Sequence, residues 1–116
     1  MSVPILKQGD ILIASIQAAL SDRDLIQLRD ELAQSVGRNR SHGVVIDVTA
    51  LDVLDSFATR TIRGIAYTAK LRGAKTVVVG IQPDVAFALV QLGLTLEDVA
   101  TALDLEEGIE LLRETT

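Results

Sequence analysis

Asp55 and Ser56 stand together in the stretch TALDVLDSFATRTI (Thr49–Ile62), directly after the apolar run VVIDV (Val44–Val48). The run reads as a buried strand, and the segment after the pair is amphipathic at helical spacing. A carboxylate and a hydroxyl therefore fall together at a predicted helix N-terminus, just past the carboxyl end of a strand. That pairing supports two roles. The serine can accept a phosphoryl group, or it can cap the helix, which is worth about 1 kcal/mol over alanine. Asp55 can itself be a capping carboxylate, favoured by the helix dipole by about 0.3–1 kcal/mol. Spacing alone leaves both roles open.

The elements that must position this pair can be read along the chain. Ile5-Leu6 and Ile11–Ile16 are short apolar runs joined by Gly9-Asp10, a hairpin-type turn. Ser21 with Asp24 three residues on resembles a capping box. Leu25, Leu28, Leu32 and Val36 then recur at helical spacing, and Gly37 suits the left-handed residue that ends a helix. Val44–Val48 is β-branched and reads as a parallel strand. Ala58, Ile62, Ile65, Ala66 and Ala69 form the stripe of a second helix ending near Gly73, and Thr76–Val79 is a further buried strand. Pro83 suits the first turn of a third helix that stops by Gly93. Val99–Ala102 reads as a short last strand, and Asp104 caps a final acidic helix through Arg113. Two initial strands followed by alternating strands and helices predict an α/β fold: a mixed sheet of four to five strands with about four helices packed mainly on one side. With 116 residues, short loops and no linker, residues 1–116 read as a single domain. In such a sheet chemistry gathers at the carboxyl ends of the parallel strands, which places Asp47, Asp55 and Ser56 near that edge.

Composition removes several function classes. There are no cysteines, which excludes a disulfide framework, a thiolate metal site and a cysteine nucleophile, and suits a reducing compartment. The net charge of −5 argues against a nucleic-acid partner. No apolar run approaches the roughly 20 residues of a membrane span, and MSVPILKQGD is not a signal peptide. A cytoplasmic protein is expected, with no membrane and no nucleic acid among its partners.

Enzymatic chemistry finds little material. No GxGxxG is present, and Gly37 and Gly43 flank RNRSH without a Gly-Lys-Ser/Thr ending. His42, the single histidine, precedes a strand and should lie at the opposite edge from Ser56, out of reach for a nucleophile–base pair. One histidine without cysteine is also poor material for zinc. Asp47, Asp52 and Asp55 offer the oxygen ligands that magnesium takes in phospho-receiver domains. A receiver would also need an acidic pair after its first strand and a lysine after a late one. Here those positions hold Gln17-Ala18-Ala19 and Gly80-Ile81-Gln82. No catalytic residue, metal or cofactor is expected. Two further features stay open. Phe57 is a core anchor or an interface aromatic. Arg60 and Arg63, one turn apart, form a solvated face or meet acidic groups on a partner.

The stretches IDVTALDVLDSF and GAKTVVVGIQPDVAFALVQLGL, together with the paired first strands, resemble the STAS domains of bacterial anti-sigma-factor antagonists. In that family a strand ends in Asp plus a small polar residue, and an Asp-Ser pair follows whose serine is phosphorylated. Asp47 matches the first position; Asp55 and Ser56 match the pair. The usual continuation, Ser or Thr and then Gly-Leu, is replaced by Phe57-Ala58-Thr59-Arg60. This departure and the Gly80-Ile81-Gln82-Pro83 segment resemble the RsbS type, the single-domain STAS scaffold of the stressosome. RsbR-type scaffolds carry a sensor domain, and a phosphorylatable threonine on the helix after the Gly-Ile-x-Pro turn. This chain has no room for a sensor, and Val85–Ala88 holds no hydroxyl.

The resemblance implies a non-enzymatic scaffold and serine/threonine-kinase antagonist. It would bind an RsbT-type switch kinase and release it on phosphorylation at Ser56. An RsbR-type scaffold, self-association in a large assembly and a resetting phosphatase of the PP2C type are its implied partners. Asp47, Asp55 and Phe57 are the neighbours of the phosphoacceptor, and Thr59, Arg60 and Arg63 are candidate interface residues. The alternatives are a STAS module binding a nucleotide or small molecule near Asp47 and Gly80, and a one-to-one anti-sigma-factor antagonist.

Overall fold

The strand Gly43–Asp47 is the centre of the computed structural model, which describes residues 3–96 and 99–114. Numbered in chain order, the strands are β1 (Ile5–Gln8), β2 (Ile11–Ser15), β3 (Gly43–Asp47), β4 (Lys75–Val79) and β5 (Ala100–Ala102). The helices are α1 (Asp22–Asn39), α2 (Ser56–Leu71), α3 (Pro83–Gln91) and α4 (Leu105–Glu114). The five strands form one sheet in the order β1-β2-β3-β4-β5. β1 runs antiparallel to β2, and every later pair is parallel.

The β-branched runs take these positions because both faces of the inner strands are covered. In β3 and β4, Val44, Ile46 and Val78 point into one apolar cluster, while Val45, Val77 and Val79 point into another. The first cluster is closed by α1 through Leu25, Leu28, Leu32 and Val36, by α2 through Ile62, Ile65 and Ala69, and by α3 through Val85 and Leu89. The strand order advances steadily from β2 to β5. Crossovers of one hand then deliver every connecting helix to the same face. The last described helix, α4, covers the other face through Leu112, Leu105 and Ile109. Three helices on one side and one on the other is the expected mixed-sheet arrangement.

The caps follow the local signals. The Ser21 hydroxyl accepts the Asp24 amide at 3.1 Å, Pro83 opens α3, and Asp104 accepts the Glu107 amide at 2.9 Å. One boundary differs. Gly37 does not end α1; the helix runs on to Asn39 and closes at Arg40, which takes the left-handed conformation at φ 51°. Gly37 lies inside the helix, with the exposed Arg72 guanidinium laid over it. α4 lies close to the sheet at Gly108, where a Cβ would stand 2.5 Å from Val79 Cγ1. Gly108→Val should therefore lift α4 from β4 and destabilise the domain by roughly 1–3 kcal/mol, the usual cost of overpacking. Urea unfolding of the two proteins measures this.

Candidate functional site at the carboxyl edge of the sheet

β3 carries Asp47 to the carboxyl edge of the sheet, and the eight residues from Val48 to Asp55 lead from there into α2. This connection is held at several points. The Val48 amide donates to the Val79 carbonyl at 3.0 Å, extending the β3–β4 pairing by one step. Leu51 and Leu54 are buried in the main core, so the middle of the loop is anchored from below. Asp47 Oδ1 accepts both the amide and the hydroxyl of Thr49, at 2.9 and 2.6 Å. The Gln82 side-chain amide donates to the Thr49 carbonyl at 2.8 Å, which ties the loop to the start of α3. Gly80, at φ +80°, passes so close to Thr49 that a side chain there would collide with the Thr49 hydroxyl.

The end of the loop sets the start of α2. Asp55 is the N-cap: its backbone is extended, and its Oδ1 accepts the Ala58 amide at 2.7 Å. Its carbonyl accepts both the amide and the hydroxyl of Thr59, at 3.0 and 2.9 Å. Ser56 is thus the first helical residue rather than the cap. It is exposed, and its hydroxyl makes no hydrogen bond among the described residues. The Ser56 and Phe57 amides belong to the first turn, where N–H groups have no partner within the helix. The sequence pattern offered serine and aspartate as rival caps, and the geometry assigns the cap to Asp55.

The other candidate residues separate clearly. Phe57 is partly buried against the main core, in keeping with a core anchor. Arg60 and Arg63 are exposed on the outer side of α2. Thr59, expected beside them as an interface residue, is corrected: it is 1% exposed, and its hydroxyl is taken up by the Asp55 carbonyl, so it presents nothing to a partner. His42 sits at the other end of β3 with its Nδ1 3.1 Å from Asp10 Oδ2, a strand length away from Ser56. Among the described residues no three acidic or histidine side chains form a metal-ligand group. The space between Asp47 and Gly80, where a small-molecule site would have to lie, is filled by Thr49. Beneath the loop, Leu51, Leu54 and Ala58 line an apolar cavity of about 80 Å³. Nucleotide-sized ligands need several hundred cubic ångströms. Gln82 is a site residue that its sequence context did not disclose, since a surface glutamine carries no signal until its loop partner is known.

A hairpin leading into parallel strands, three helices on one face and an Asp-Ser helix start at the carboxyl edge define the class of the domain. Residues 2–108 match the family described as STAS domain, and the chain belongs to that family. It is similar over nearly its whole length to solved stressosome-related proteins. A serine-to-glutamate variant of RsbS from Moorella thermoacetica matches with a TM-score of 0.84 at 39% identity, covering 97% of this chain and 96% of that one. A chain of the solved stressosome, a signal integration and transduction hub, matches at 0.80 and 38% identity over 97% of both. Among curated proteins, the RsbT co-antagonist protein RsbRA of Bacillus subtilis (strain 168) is 33% identical over 90 residues, covering 78% of this chain. The chain spans about a third of the length of that relative, since the match covers 33% of it.

The geometry separates Asp55 and Ser56 experimentally. Asp55→Ala should cost about 1 kcal/mol of stability by removing the cap. Ser56→Ala, which removes an exposed and unbonded hydroxyl, should stay within about 0.5 kcal/mol of the native protein. Thermal or urea unfolding of both variants checks the assignment.

Proposed function

We propose that this chain is a non-enzymatic scaffold subunit of a stressosome-type signalling assembly, and that Ser56 is its phosphoacceptor. One observation carries the reading. Asp55 caps α2, which leaves the adjacent serine exposed at the first helical position with no structural task. Similarity to RsbS and to a stressosome chain across 97% of the sequence supports the same reading.

In this role the unmodified face around Ser56 binds an RsbT-type serine/threonine kinase, in the company of an RsbR-type scaffold and further copies of the fold. Phosphorylation then adds about −1.5 to −2 charge and three acceptor oxygens. The helix start tolerates that charge, because the dipole and the unpartnered first-turn amides favour an anion. The partner surface does not tolerate it in the same way. Asp55 already makes this corner acidic, and a dianion beside it repels carboxylates and breaks close contact. A coupling of about 1–3 kcal/mol, typical of switches, changes affinity by roughly 5–150-fold. A PP2C-type phosphatase restores the serine. The setting is cytoplasmic.

With the cognate kinase and ATP, phosphopeptide mapping should place the phosphate on Ser56. Ser56→Ala should lose the label and keep kinase capture, while Ser56→Asp should weaken capture. A phosphate found on Thr61 alone would overturn the assignment; Thr59 is already withdrawn from solvent.

A further inference from the structure

The outer side of α2 carries an unusual charge pattern for an acidic chain. Arg60, Arg63, Tyr67 and Lys70 follow one another at spacings of three and four, so they form a single stripe. All four are exposed, and α2 contains no acidic residue at all. Among the described residues none of the three cations enters an ion pair. The stripe borders a groove of about 410 Å³ that reaches Val99. On the opposite face of the sheet α4 shows the reverse. Glu106, Glu110 and Glu114 are exposed at four-residue intervals, and none of them is engaged in an ion pair within the described residues. A groove of about 670 Å³, lined by Glu106 and Glu110 with Arg113 at its border, runs toward Gln8 of β1.

The two stripes match in length as well as in sign. At about 1.5 Å per residue, Arg60 to Lys70 spans roughly 15 Å and Glu106 to Glu114 roughly 12 Å. They cannot meet within one molecule, because α2 and α4 pack on opposite faces of the sheet. We infer that the α2 stripe of one copy docks on the α4 stripe of a second copy. Opposite faces make this contact head-to-tail, so each copy offers one donor and one acceptor surface and can join two neighbours. A helix-on-helix contact is small beside the roughly 800 Å² per partner of a standard interface. A single contact is accordingly weak and salt-sensitive, and it gains strength by repetition around an assembly. The inference deepens the scaffold reading and rests on it only in that copies of the fold associate.

Charge reversal tests the contact. One variant carries Arg63→Glu with Lys70→Glu, and the other carries Glu106→Lys with Glu110→Lys. All four positions are exposed, and circular dichroism confirms that each variant is folded. Sedimentation velocity at high protein concentration and low salt should show association of the native chain, reversed by added salt. Each variant alone should sediment as a monomer. An equal mixture of the two should associate again, although both keep a net negative charge and would otherwise repel. A native chain that stays monomeric, a mixture that fails to associate, or a variant that associates as the native chain does would each overturn the inference. Should the native chain stay monomeric while Ser56 is still labelled and an RsbR-type partner still assembles with it, the scaffold reading stands and this surface falls.

Discussion

The burial of β3 on both faces is the constraint from which the rest of the site follows. Val44, Val45 and Ile46 are completely shielded, between α1 and α2 on one side and α4 on the other. A strand in that position can expose chemistry only where it ends. Its end is Asp47, and the chain that leaves it must turn, satisfy its backbone groups and enter α2 without disturbing the cores. Asp47 binding Thr49, Gln82 binding the Thr49 carbonyl, and Leu51 and Leu54 sinking into the core are how that turn is made rigid. Asp55 then closes the helix start, and Ser56 is presented from a fixed base.

Such a base suits a switch read at the surface. A phosphate placed where the backbone already favours an anion does not require the fold to rearrange. In the proposed role of Ser56 the change would therefore be electrostatic and local, and the responding element would belong to the partner. The same economy is visible on α2 as a whole. Its inner stripe of Ala58, Ile62, Ile65 and Ala69 is committed to the core. Its outer stripe of cations has no partner in the described fold and is free for association.

Much of this was legible because the signals are local. The β-branched runs of β3 and β4, Ser21, Pro83 and Asp104 each act within a turn or a strand, and the structure places them as their types require. What was not legible depends on contacts distant in sequence. Gly37 reads as a helix end because glycine commonly is one; α1 instead runs through it and ends at Arg40 despite the positive φ. Thr59 looked polar and available, but the Asp55 carbonyl satisfies its hydroxyl and lets it be buried. The order of cap and serine at α2 turned on a single residue, which periodicity cannot resolve. The side of the sheet taken by α4 is not written in its own amphipathic pattern either. With that side goes the opposition of acidic and basic faces.

In the proposed switch the helix start at Ser56 accepts a phosphate without a change of fold. Backbone amide NMR spectra of the chain with serine and with chemically installed phosphoserine at position 56 test it directly. Shifts should be confined to the loop end and the first turn of α2, around Asp55 to Thr59, with the β3, β4 and α1 amides unmoved. Shifts spread through those elements, or a loss of dispersion, would contradict it and would make the switch a refolding of the edge rather than a change of surface charge.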